Sequence, residues 1–212
     1  MQWSLVIPLK PLARAKSRLA DTAAEGVRPG LALAFAQDTV VAALACRAVA
    51  DVAVVTDDEL AGRELAALGA RIVPDAPGSG LNAALAHGAA AVREMHPRAA
   101  VAALNADLPA LRPRELFRVL AAAAEFPRAF LADAAELGTT LLAAAPGHAL
   151  HPVFGVDSRS RHRASGATEL RLTGVDSVRQ DVDTGADLRA ALALGVGPHT
   201  AAVSARLPAA GQ

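Results

Sequence analysis

Continuous apolar runs alternate with runs of helical spacing from the start of the chain. Residues 3–9 (WSLVIPL) predict a buried strand, and the polar stretch 10–18 follows as a loop. Helical spacing over 29–45, with Pro29 in the first turn, predicts a helix. Residues 51–56 read as a second strand. Asp57-Asp58 can cap a helix that runs to Leu68 and stops at Gly69, before a short strand over 71–73. The turn-rich segment 74–80 leads into an alanine-rich helix over 81–95, ended by Pro97. Residues 99–104 are apolar without interruption, as expected of a strand buried on both faces.

The order β-loop-α-β-α-β-α-β predicts a doubly wound, mostly parallel sheet with right-handed crossovers. Beyond a helix over 113–125 the pattern changes. Strands over 128–132 and 139–144 are separated by a short loop, which predicts an antiparallel pair. Short helices follow over 158–165 and 185–194. No repeat or composition shift divides the chain, so residues 1–197 are expected to form a single domain, with 198–212 a loosely held tail.

Composition narrows the classes. The 212 residues are 53% hydrophobic and 20% charged, which excludes a disordered chain. Twenty-one basic residues balance 21 acidic ones, an argument against general nucleic-acid binding, which needs excess positive charge. One cysteine, Cys46, excludes a disulfide framework and a Cys-rich zinc site. The first eight residues lack the pattern of a secretory leader, and no run approaches the ~20 apolar residues that span a bilayer. A soluble, cytoplasmic protein without a membrane partner is the expectation. The chain has 54 alanines and 19 arginines but only two lysines, Lys10 and Lys16, both in one loop. Lysine is hard to replace where a compact charge must meet a phosphate.

Ligands of open α/β sheets bind at the carboxyl ends of the strands, and four polar groups fall at or near such ends. The loop 10–18 carries Lys10, Arg14, Lys16 and Arg18, four like charges that a polyphosphate would stabilise. It contains no glycine, so neither a Walker A loop nor a dinucleotide loop is present. Asn105-Ala106-Asp107-Leu108-Pro109 points a carboxylate into the crevice as a magnesium ligand or, equally, as a helix cap. Asp181-Val182-Asp183 sets two carboxylates on one side of an extended backbone, for metal, while Asp183 or Thr184 can instead cap the next helix. Asp183-Thr184-Gly185 matches half an aspartic-protease signature, but no second copy exists. Gly138-Thr139-Thr140 and the segment 152–158, with Gly155 and Ser158, supply small and hydroxyl residues suited to an anion seat. His151 and His162 lie nearby, read as surface or capping histidines.

In order and spacing, these strings, with Gly80-Leu81-Asn82, Gly166-Ala167 and Val55-Thr56-Asp57-Asp58, resemble the 2-phospho-L-lactate or phosphoenolpyruvate guanylyltransferases of coenzyme F-420 biosynthesis. The resemblance covers about residues 3–195. It implies a three-layer α/β/α sandwich around a mixed, mostly parallel sheet, like the nucleotide-diphospho-sugar transferases (GT-A). It implies transfer of GMP from GTP to a three-carbon phospho-acid, with release of diphosphate. By position, Thr140, Gly155 and Ser158 would seat the phospho-acid. Asp107, Asp181 and Asp183 would hold Mg2+, and Lys10, Lys16 and Arg18 would grip the GTP phosphates. Gly80 and Asn82 would line the guanosine side, and Lys16 and Asp107 would be the catalytic pair. The Ala/Arg-rich composition leans toward an actinobacterial type and toward phosphoenolpyruvate over 2-phospho-L-lactate. Another nucleotidyltransferase of this fold, using CTP or UTP with a sugar or cofactor substrate, stays open, as does a non-catalytic nucleotide-binding domain. A homodimer is a possible assembly.

Overall fold

The computed structural model describes residues 1–14 and 26–206. The chain begins with β1 (Trp3–Pro8) and a 3₁₀ turn (Leu12–Arg14), then α1 (Arg28–Leu44), β2 (Val49–Val55), α2 (Glu59–Ala67) and β3 (Arg71–Val73). It continues with α3 (Leu81–Met95), β4 (Ala100–Leu104), α4 (Pro113–Ala123), β5 (Arg128–Ala132) and β6 (Thr139–Ala144). The last elements are α5 (Ser158–Ala164), β7 (Thr168–Glu169), α6 (Asp176–Arg179), α7 (Gly185–Leu194) and α8 (Pro198–Ser204).

The sheet runs in the order β3-β2-β1-β4-β6-β5-β7. The pairs β1–β2, β1–β4, β2–β3 and β5–β7 are parallel, and β6 runs against both neighbours. Strand order reverses between β1 and β4, so their carboxyl ends open the crevice that the topology reserves for a ligand. Because β6 is reversed, it begins at that same end of the sheet.

Alternation along the strands divides the core into two layers. Leu5 and Ile7 of β1, Val52 and Val54 of β2, and Ala102 and Leu104 of β4 pack with Val40 of α1, Leu65 of α2 and Leu116 and Leu120 of α4. The opposite face, with Val6, Ala53, Val55 and Ala103, meets Ala84, Leu85 and Val92 of α3 and also Phe154. This is the three-layer α/β/α sandwich. Strand β4 is buried along its whole length, as its unbroken apolar sequence requires. Helix α3 lies close to the sheet: a Cβ on Gly88 would come within 2.6 Å of both Val6 and Val55. No helix among the described residues is long and apolar enough to cross a membrane.

The largest departure from the sequence reading is at the carboxyl end. Residues 198–204, expected to be loosely held, form α8 against α1. Asp38 of α1, only 4% exposed, accepts hydrogen bonds from the N–H groups of His199 (3.1 Å) and Thr200 (2.8 Å). A carboxylate from another helix thus caps α8, where favourable N–H groups and dipole meet it. Gly197 is required there, since a Cβ would collide with the Asp38 carboxylate. Local pattern cannot reveal a cap supplied from 160 residues away. Asp38→Ala is expected to lower stability by about 1–2 kcal/mol and to open residues 198–204 to proteolysis. Urea unfolding and limited digestion of the variant beside the parent check both.

Candidate active site

The crevice begins at the carboxyl end of β1. Leu9 extends the ladder by donating its N–H to the Val55 carbonyl (2.9 Å), and exposed Lys10 follows. The next turn is tied down by Asp58, whose Oδ2 accepts the Leu12 N–H (2.8 Å) while its Oδ1 accepts that of Ala61 (3.0 Å). One carboxylate therefore caps α2, as expected, and anchors the basic loop as well. Lys16 and Arg18 lie outside the described residues.

At the end of β4, Asp107 sits in a turn clamped from behind. The buried Thr39 hydroxyl of α1 accepts the Leu108 N–H (3.1 Å) and lies 3.2 Å from the Ala106 carbonyl. Its single proton is shared between the Phe35 carbonyl (2.8 Å) and that of Ala106, so Thr39 holds the turn chiefly through Leu108. In front, the Asp107 carbonyl accepts the Val182 N–H (3.1 Å). Val182 is fully buried in a separate apolar cluster with Phe35 and Leu188, which fixes the strand-like segment carrying Asp181 and Asp183. The Asn105 side-chain amide donates to Asp181 Oδ2 (3.3 Å), and the Asn105 N–H donates to the Thr140 carbonyl (3.0 Å). Asp107, Asp181 and Thr140 are thereby gathered around the end of β4.

Asp183 lies two residues before α7, next to its N-cap Thr184. Its N–H, with the N–H and hydroxyl of Thr184, donates to Asp187 Oδ2. The Thr184 side chain accepts the Asp187 N–H (3.3 Å) in return, a reciprocal capping box. Of the two capping candidates read from the sequence, Thr184 is the one whose side chain caps α7. Among the described residues, no three His, Cys, Asp or Glu side chains form a ready metal cluster.

The third wall is built by β6, α5 and the loop between them. The pairing of β5 with β6 slips by one residue at Thr140, leaving a bulge. Strict alternation would place Thr139 on the face of Leu141 and Ala143. Instead its hydroxyl meets His162 Nδ1 (3.0 Å), and His162 packs on Phe130 of the opposite face. The Thr140 hydroxyl is buried and has no hydrogen-bond partner among the described residues. Gly155 (φ 115°) accepts the N–H of buried Ser158 at 3.1 Å.

Asn82, expected on the guanosine side, is engaged by this wall. Its amide donates to the Phe154 carbonyl (3.1 Å) and its oxygen accepts the Phe154 N–H (2.8 Å). Gly80 (φ 95°) starts α3 just ahead of it. Asn82 therefore links the first turn of α3 to the Gly155–Ser158 segment.

The sequence reading placed His162 at the surface or in a cap; in the structure it is a buried strut. Its Nε2 accepts the Val153 N–H (3.1 Å), so the proton belongs on Nδ1, which donates to Thr139. Burial, then the charges of Arg128 and Arg161, lower its pKa to about 4. Thr39 and this histidine were missed because each works through contacts made only in the folded chain, and neither stands in a local motif.

Comparison with known proteins gives the fold and the family. The model described as "Guanylyl transferase CofC like" matches residues 3–204. A Streptomyces coelicolor protein named phosphoenolpyruvate guanylyltransferase is 77% identical over 212 residues, covering all of both chains. Another of that name, from Thermomonospora curvata, is 64% identical, covering 99% of this chain and 91% of its own. Among solved structures, CMP:2-keto-3-deoxy-manno-octonic acid synthetase complexed with CTP has a TM-score of 0.58 at 19% identity, over 92% of this chain and 98% of that one. The sheet order and these likenesses agree with the nucleotide-diphospho-sugar transferase class of fold.

Protonating His162 would set a donor against the Val153 N–H. The unfolded chain takes up this proton near pH 6.5 and the folded chain only near 4. Stability should therefore fall as pH drops through that interval, by at most about 1.4 kcal/mol per pH unit from this group, and level off below it. His162→Gln should remove that part of the slope, read from urea midpoints of parent and variant across pH 4–7.

Proposed function

Because the chain belongs to the CofC-like guanylyl transferase family, we propose that it transfers GMP from GTP to phosphoenolpyruvate and releases diphosphate, in the cytoplasm, as a step of F-420 biosynthesis. The observation that carries this reading is the meeting of Asp107, Asp181 and Thr140 at the β1/β4 switch point, within a chain 77% identical end to end to a protein of that name.

An oxygen of the phospho-acid's phosphate attacks the α-phosphorus of GTP. A new P–O–P bond forms, the bond between the α-phosphorus and its bridge to the β-phosphate breaks, and its electrons leave with diphosphate. The attacking phosphate is already ionised, so no general base is required, and the buried neutral His162 is not needed as one. The obstacles are repulsion between two anions and their alignment, which positioning and fixed charge overcome. Lys10, Lys16 and Arg18 meet the triphosphate through side chains, in place of the backbone N–H groups of a glycine-rich loop.

The donor set fits magnesium. Mg2+ takes hard oxygen ligands and is commonly held by one or two carboxylates plus substrate phosphates, so the lack of a three-carboxylate cage among the described residues is no obstacle. Asp107, with one or both of Asp181 and Asp183, would hold it, and it would neutralise charge on the triphosphate and the departing diphosphate. The orphan Thr140 hydroxyl, the open backbone at Gly155 and the hydroxyl of Ser158 support the phospho-acid seat. The Asn82–Phe154 pair supports a nucleoside side next to that seat, with Gly80 and Asn82 at its edge.

Mass detection of guanylylated product from GTP with phosphoenolpyruvate, 2-phospho-L-lactate or 3-phosphoglycerate tests the reading; phosphoenolpyruvate should be the productive acceptor. CTP and UTP in place of GTP should give little product, and failure of all three acceptors would end the proposal. Asp107→Ala should lose turnover by ~10²-fold or more with its fold intact by circular dichroism.

A further inference from the structure

Helix α5 carries three arginines on alternate residues, and their charges are treated differently. Arg159 Nε donates to Glu169 Oε1 (2.7 Å), and its Nη1 reaches Glu136 Oε2 (3.1 Å). Arg163 pairs with the other oxygen of Glu169. Burial would raise the Glu169 carboxyl, but hydrogen bonds from Arg163 and Arg159 outweigh it and hold that carboxyl below its usual range.

Arg161 is turned the other way. Its Nη2 donates to the Phe154 carbonyl (2.9 Å), and no carboxylate among the described residues forms an ion pair with it. The same carbonyl accepts the Asn82 amide, so Arg161 stands where α5, the 152–155 loop and the first turn of α3 meet. The guanidinium occupies the room left by a missing side chain: a Cβ on Gly155 would lie 2.9 Å from Nη2. A guanidinium has five N–H donors in a rigid fork, and this contact uses one. An exposed cation beside an anion seat, in a helix whose other arginines are neutralised, is a place kept for an anion from outside the chain.

We propose that Arg161 is the specificity-determining residue of the phospho-acid seat and takes the substrate carboxylate in its fork. This rests on the functional reading above. A three-carbon phospho-acid has two anionic ends, and its phosphate must be delivered to the nucleotide. The planar carboxylate is the handle that tells it from other phosphate monoesters, and a planar fork matches it where a lysine would not.

The test is steady-state kinetics of parent, Arg161→Gln and Arg161→Lys, with inhibition by 2-phosphoglycolate and by inorganic phosphate. The expected result for Arg161→Gln is a KM for phosphoenolpyruvate raised ~10-fold or more, as for loss of a charged hydrogen bond, with the KM for GTP nearly unchanged. Arg161→Lys should fall between, and the advantage of 2-phosphoglycolate over phosphate in the parent should vanish in Arg161→Gln. A merely structural role would weaken both inhibitors alike. An unchanged KM for phosphoenolpyruvate, an equal rise for both substrates, or a retained preference for 2-phosphoglycolate overturns the role of Arg161 while a productive parent enzyme leaves the functional reading standing. A parent inert toward phosphoenolpyruvate overturns the reading and this role together.

Discussion

The hydrogen bond from the Val182 N–H to the Asp107 carbonyl holds together what 75 residues of chain separate. It sets the acidic segment before α7 directly beside the end of β4. The bond is protected because Val182 is buried among Phe35, Ala110 and Leu188, out of reach of competing water. A buried backbone pair of this kind is costly to break, since neither partner finds a substitute. Asn105 reinforces the same junction, with its side chain on Asp181 and its main chain on Thr140.

Much of the fold was legible because the relevant signals are local. The strands over 3–9 and 128–132, the helix over 81–95 and its end before Pro97 all follow from apolar period and breakers, and the structure agrees within a residue or two. The reversal of β6 was readable from the short connection that precedes it. The acidic and hydroxyl groups could be singled out because they follow or begin strands, and the ends of strands are where open α/β sheets bind ligands. What escaped was long-range. Asp38 and Thr39 look unremarkable in their own neighbourhoods and gain their roles from backbone groups far along the chain, while His162 gains its own by joining Val153 to Thr139 of β6. The bulge at Thr140 is equally silent, because Thr-Thr reads as ordinary strand. Asn82, expected on the guanosine side, engages the main chain of Phe154 across the crevice, a contact that no local motif announces.

The third wall shows how a mobile-looking sequence becomes a firm surface. Residues 150–157 carry no regular structure, yet their main chain is held at three points by side chains from other elements. His162 holds Val153, Asn82 holds both ends of Phe154, and Arg128 reaches the carbonyls of Leu150 and His151. Each clamp satisfies a peptide group that a loop would otherwise leave to solvent. The loop thereby holds Gly155 and Ser158 in one arrangement, already ordered by its own clamps.

Asp38 and Thr39 are consecutive residues of α1 with different duties: one fastens α8, the other the turn bearing Asp107. Helix α8 is thus mechanically joined to the turn bearing Asp107 through a single helical turn. Shortening the protein at residue 197 would strip a buried carboxylate of its partners next door to the clamp. Purification tags are therefore better appended after α8 than in place of it, and versions trimmed for crystallisation should keep that helix.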